Sequence, residues 1–199
     1  MARTRAKDFE EKQHQLLLVA AQVFATEGME KASMSGIAKQ AGVSKSLLYH
    51  YYPSKGELIY AIIIEHLDEL LAAIEAADDA SLPPRARLEA MVDAVLTAYQ
   101  GADDAHKVQL NAGEALNAEQ SAVVRERTRG IVAHFSEVIA VLHPELAGQE
   151  PRMVMPVTMS LFGMLNWVYT WFRDDGALSR ADYARMATAL VLDGVKGLR

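Results

Sequence analysis

The sequence predicts an all-α protein of about nine helices. Three observations carry that expectation. Apolar residues recur at the i, i+3, i+4, i+7 spacing of a helix face in one segment after another. Serine, proline and glycine fall at the ends of those segments, where helices start and stop. No alternating apolar–polar run of strand length, internal repeat or low-complexity stretch interrupts the pattern.

Residues 1–7 carry Arg3, Arg5 and Lys7 without an acid, and such an arm is expected to be disordered in the free protein. A first helix follows over about residues 8–27, with Leu17, Ala20, Ala21 and Phe24 on one face and Gly28 as its stop. In the next segment Met34, Ile37, Ala38 and Ala41 form one stripe, and Ser33 precedes it as a capping residue. Gly42 stands where this short helix must end and Val43 turns inward. Ser44 is placed to cap a second short helix over Lys45 to Tyr51, before Pro53. Two such helices joined by a tight, glycine-containing turn form a helix-turn-helix, whose second helix enters the major groove of DNA.

On that second helix Leu48 is the expected core residue, which leaves Lys45, Ser46, Leu47, Tyr49 and His50 on outer faces. A lysine can meet phosphate or a guanine edge, Ser46 and Tyr49 can bond phosphate, and Leu47 can touch a thymine methyl. Ser33 and Ser35, at the start of the first short helix, complete the set on the helix pair. The plain alternative is a helical hairpin with a polar outer face and no DNA partner.

Ser54-Lys55-Gly56-Glu57 reads as an S-x-x-E capping box, so a further helix begins at Lys55. Its N-terminus suits a phosphate, and Lys55 adds a full charge there. This helix continues through Leu58, Ile62, Glu65 and Glu69 to about residue 77, and the run 78–84, DDASLPP, ends it. Pro84 then suits the first turn of the next helix. Three parts are expected: a DNA-binding domain over residues 1–54, a connecting helix over 55–79, and a ligand-binding and dimerisation domain over 80–199.

In the last part, Leu88, Met91, Val92, Val95, Leu96 and Tyr99 form a stripe that breaks at residues 101–104. A shorter helix near residues 105–112 and a long one over 117–143 follow; Pro144 terminates the latter. A final pair is expected over 151–173 and 180–198, with Ser179 as cap and Asp182 completing a shortened capping box. Residues 153–172 carry no charge and reach the length of a membrane span, yet include Pro156, Thr158, Ser160, Asn166 and Thr170. A helix apolar on all sides is otherwise buried on all sides, here by a second subunit. The expectation is a two-fold, four-helix interface from the last two helices of each chain, with Gly163, Ala184, Ala187, Leu190, Val191 and Gly194 in it.

The run 41–55, AGVSKSLLYHYYPSK, preceded by FATEG at 24–28, resembles the DNA-binding signature of the TetR family of bacterial transcriptional regulators. The resemblance covers about the first third of the chain. It implies operator binding as a homodimer and a connecting helix that passes ligand binding on as a change in the spacing of the DNA-reading heads. Leu47 departs from the pattern, since many members carry threonine there, and no specific base contact carries over to it. The run 161–173, LFGMLNWVYTWFR, with Asp175-Gly176, resembles TetR-type regulators of fatty-acid, sterol and aromatic-acid breakdown. Several of those respond to acyl-coenzyme A thioesters, which implies an apolar tunnel and nearby basic residues; Arg125, Arg127 and Arg129 on the long helix are candidates for the latter.

Charge and chemistry fit this picture. The net charge is −6, but residues 1–60 hold 8 basic and 6 acidic groups while the remainder holds 12 and 20. Only the N-terminal third is therefore suited to phosphates. The absence of cysteine excludes disulfides and zinc–thiolate sites and fits a reducing cytoplasm. The N-terminus, polar and basic through Lys12, has no signal-peptide pattern. The six histidines are scattered, with His134 and Glu137 the nearest metal-like pair, and no P-loop, GxGxxG, HExxH or GxSxG is present. No catalytic residue, cofactor or metal is expected.

Large residues on helices that should converge make an effector pocket the better prospect: Met91, Val95, Tyr99, Phe135, Met164, Trp167 and Trp171, with Asn111 as a polar anchor and Glu114 and Asn166 as further ones. Aromatics and methionines at this spacing also serve as plain core. The integrated expectation is a cytoplasmic homodimeric regulator, a repressor released from a palindromic operator by a small apolar ligand such as an acyl-CoA thioester. The alternatives are a helical small-molecule-binding protein or a multidrug-type sensor of another hydrophobic ligand.

Overall fold

A computed structural model describes residues 2–146, 148 and 153–197, with side chains from residue 11 onward. The described residues contain nine α-helices and no strand, as the periodicity predicts. The helices are α1 (Ala2–Glu27), α2 (Met34–Gln40), α3 (Lys45–Tyr51), α4 (Lys55–Ala77), α5 (Pro84–Ala98), α6 (Asp103–Asn111), α7 (Ala118–Leu142), α8 (Val154–Asn166) and α9 (Arg180–Gly194). Packing divides the chain into two compact units, residues 1–67 with 101–125 and residues 68–100 with 126–199.

In the first unit α1 packs on α2 and α6. Leu16, Leu17, Ala20, Val23 and Phe24 of α1 are buried, as are Ile37 of α2, Leu58, Ile59, Ile62 and Ile63 of α4, and Val108 of α6. Burying each large side chain contributes about 1.5–3 kcal/mol, which holds helices too short to be stable alone. The helical backbone starts at Ala2, six residues before the expected start near residue 8. The segment ARTRAK lacks glycine and proline and is rich in good helix formers, so the arm continues the helix. The side chains of Arg3, Arg5 and Lys7 lie outside the described ones.

In the second unit α9 lies on α5, and α8 packs against both. Ala184, Ala187 and Val191 are buried, where small side chains let the helix approach closely. The three were expected at a subunit interface and are instead part of the chain's own core. Phe135 of α7 meets Phe162 of α8 edge to face at 4.9 Å. Asp78, just past α4, is bonded by Arg87 of α5, and His134 Nδ1 of α7 lies 2.8 Å from its other oxygen. The Arg87 hydrogen bond, aided by His134, holds the Asp78 carboxyl below the usual range. Arg180 forks onto Asp174 at 2.7 and 3.0 Å and donates to the Leu96 carbonyl at 2.7 Å, at the C-terminal end of α5 where a cation is favoured.

The segment expected as one helix over residues 151–173 is broken. α8 stops at Asn166, and a 3-10 turn, Val168–Thr170, follows. The physical cause is local. Thr170 Oγ1 donates to the Trp167 carbonyl at 2.7 Å, and the β-branched and aromatic run 167–172 loses side-chain freedom in a helix. Among the described residues no helix is long and apolar enough to cross a membrane.

Candidate nucleic-acid interface

The α2–α3 pair is built as its capping residues dictate. Ser33 Oγ accepts from the Gly36 N–H at 3.1 Å, and Ser44 Oγ accepts from the Leu47 N–H at 3.1 Å. Between the helices Gly42 takes a left-handed φ of 66°, and the Val43 N–H returns to the Ala38 carbonyl at 3.0 Å. A side chain here would be strained, which is why the turn needs glycine. Leu48 is 0% exposed and fixes α3 to the core. Tyr52, buried just after α3, accepts a hydrogen bond from Gln13 of α1 at 3.0 Å, and burial raises its phenol pKa.

With Leu48 turned inward, Lys45, Ser46, Leu47, Tyr49 and His50 are all exposed, and so are Ser33 and Ser35 on α2. The seven residues thus lie outside on one compact helix pair. Lys45 Nζ sits over the Tyr49 ring at 5.7 Å, and the Ser44 and Ser46 hydroxyls are 3.1 Å apart. Leu47 is 39% exposed. Lys55 differs from the rest. It is half-buried, and its ammonium is bonded to three backbone carbonyls of the α1–α2 loop.

Beside α3 lies a cleft of about 820 Å³ that no sequence motif marks, lined by Lys12, Gln15, Gln40, Ser44, Leu47 and Tyr51 among others. Polar residues at i, i+3 on α1 were the available signal, but polar faces are common. The capping box at α4 is only half made. Ser54 Oγ accepts from the Glu57 N–H at 3.1 Å, while the Glu57 carboxylate accepts from Gln120 Nε2 of α7 at 2.9 Å.

The expected effector residues do not form one group. Met91, Val95, Tyr99 and Phe135 are buried in the second unit. Tyr99 donates to Asn166 Oδ1 at 2.9 Å, and burial drives its phenol far above the ordinary value. Met164 is half-buried, and its carbonyl accepts from Tyr183 at 3.3 Å. Trp167 and Trp171 are exposed instead, Trp167 by 61%, because the helix ends before them. Asn111 belongs to the first unit, is exposed, and bonds the Lys107 carbonyl of its own helix at 2.8 Å. Of the three arginines, Arg127 pairs with Asp68 at 2.6 Å, while Arg125 and Arg129 are exposed.

The outer side of α8 and α9 carries Met155, Met159, Met186 and Leu190, and Trp167 follows directly after α8, all exposed. The four-residue steps from Met155 to Met159 and from Met186 to Leu190 place each pair along one stripe of its helix.

Residues 16–62 match the family described as "Bacterial regulatory proteins, tetR family", and residues 81–195 match "Tetracyclin repressor-like, C-terminal domain". A crystallised TetR-family transcriptional regulator from Bordetella parapertussis is 32% identical, with a TM-score of 0.82 over 92% of this chain and 95% of that one. The transcriptional repressor KstR2 of Rhodococcus jostii is 27% identical over 91% of this chain and 89% of its own. AibR, crystallised in complex with isovaleryl coenzyme A and operator DNA, is 24% identical, with a TM-score of 0.73 over 90% and 97% of the two chains.

Proposed function

Because the chain belongs to the TetR family of DNA-binding transcriptional regulators, we propose that it is a homodimeric repressor of the bacterial cytoplasm, released from a palindromic operator by a small apolar effector. The observation that carries the DNA part is the exposure of seven donors and contact groups on α2 and α3 around a fully buried Leu48. Lys45, Ser46, Leu47, Tyr49 and His50 enter the major groove, while Ser33 and Ser35 take phosphates at the start of α2. In this reading residues 1–54 bind DNA, residues 55–79 connect, and residues 80–199 bind effector and partner.

Dimerisation uses the outer stripes of α8 and α9, where Met159, Trp167, Met186 and Leu190 would be covered by a second copy. Two recognition helices then meet half-sites related by the same two-fold axis. The effector is an acyl-CoA thioester. KstR2 is named a repressor, and AibR, of like fold, was crystallised with such a thioester and operator DNA. The apolar interior around Met91, Val95 and Phe135 supplies the environment an acyl chain needs. The effector acts by binding the DNA-free form better than the DNA-bound form.

The second reading, a sensor of another hydrophobic ligand, rests on the same apolar interior. Release of a bound duplex, followed by fluorescence anisotropy against acyl-CoA esters, free acids and drug-like cations, separates the two. Thioester-driven release supports the first reading. Silence across the thioesters with release by a cation or an acid supports the second.

A further inference from the structure

Lys55 opens α4, and its Nζ lies 2.6 Å from the Met29 carbonyl, 3.1 Å from that of Glu30 and 3.3 Å from that of Ala32. An ammonium has three N–H donors, and these three acceptors use all of them. The acceptors belong to the loop that leaves α1 at the left-handed Gly28, where the helix dipole is negative and a cation is favoured. Within that loop the Ala32 N–H returns to the Gly28 carbonyl at 3.0 Å, and the next residue, Ser33, caps α2.

We propose that Lys55 serves DNA binding as a positioning residue, pinning the α1–α2 loop to the first turn of α4 and so setting Ser33 and Ser35 in register with α3. It does this in place of meeting a phosphate itself. The inference rests on the reading of α2 and α3 as the DNA interface. The residues beside Lys55 strengthen it, because that first turn of α4 is itself held rigidly. A Cβ on Gly56 would come within 3.0 Å of the Ala115 carbonyl, and Glu57 is bonded to Gln120. Turning Lys55 to a phosphate would leave three carbonyls to find other donors, one of them on the buried Ala32.

A duplex selected from a random library by the wild-type protein is the probe, and its binding is followed across a salt series. Lys55→Met should weaken binding on the order of tenfold while leaving the slope of log K against log salt unchanged. Lys55→Arg should recover most of the loss. A slope shallower by about one, as for a lost phosphate contact, overturns the proposal. Unchanged affinity in a folded variant also overturns it, because the lysine is then merely structural.

If Lys55→Met does not fold, lysine-acetylation footprinting of the wild-type protein decides. Lys55 should be equally protected with and without the duplex, while Lys45 becomes protected only on binding. DNA-dependent protection of Lys55 overturns the proposal. Failure of the wild-type protein to retain any duplex overturns the DNA reading itself, and is seen before a variant is made.

Discussion

Gln120 Nε2 donates to the Glu57 carboxylate at 2.9 Å, joining the first turn of α7 to the first turn of α4. Gln120 is nearly buried, and its other atoms are engaged as well. Its side-chain oxygen accepts from the Asn117 N–H at 3.0 Å, and its own N–H reaches Asn117 Oδ1 at 2.9 Å. Gln120→Ala removes the side-chain half of the reciprocal cap and a charge-assisted bond together, leaving its backbone N–H on Asn117, so unfolding in urea should show a loss of about 1–3 kcal/mol. Glu57→Gln keeps an acceptor and should cost less than half as much.

Leu47 and Leu48 are adjacent and should respond in opposite ways. Leu48→Ala empties a fully buried site and should lower stability by about 2–5 kcal/mol in chemical denaturation. Leu47→Ala changes a surface residue and should stay within about 0.5 kcal/mol of wild type. Its effect should appear as an altered base preference when duplexes are reselected with the variant.

Acid should weaken the first unit through His66. The ring is buried and lies 5.6 Å from the buried His106 ring, centroid to centroid. Burial first, and then the neighbouring His106, lower its pKa from 6.5 to about 4. The unfolded chain therefore binds the extra proton between those two values. His66 contributes its full stability above pH 6.5, loses it as pH falls towards 4, and changes little below that. The loss amounts to roughly 3 kcal/mol. Thermal melts between pH 7 and pH 4 should show it, and His66→Leu should flatten that part of the profile.

The apolar stripes predict an assembly that single charges can break. Leu190 is 58% exposed and Met159 50%, so Leu190→Asp and Met159→Asp should leave helicity unchanged by circular dichroism. Each substitution occurs twice across a two-fold interface and should weaken association roughly a hundredfold in sedimentation velocity. Dimers of unaltered strength in both variants would place the interface elsewhere.

How much of this was legible in the sequence follows from the range of each interaction. Caps act within three or four residues, so Ser33, Ser44 and Ser179 could be assigned from sequence, and their bonds are made. Periodicity put Leu88, Val92 and Leu96 on one stripe and left Leu48 as the core residue of its helix, and all four are fully buried. The same periodicity could not say what covers an apolar face, and Ala184, Ala187 and Val191 are buried within the chain's own core, where α9 packs on α5 and α8. It overran at Asn166, because 167–172 is as apolar as the helix before it and only its local bonding ends the helix. The role of Lys55 was hidden for a different reason: its acceptors are 23 to 26 residues away in sequence.

The central claim is that the outer face of α3 meets DNA, and the salt dependence of Lys45→Ala tests it most directly. Lys45 is exposed and its ammonium lies over the exposed Tyr49 ring, so the substitution leaves the fold intact. On a duplex selected by the wild-type protein, Lys45→Ala should bind more weakly, with a slope of log K against log salt shallower by about one. Affinity and slope both equal to wild type would contradict it.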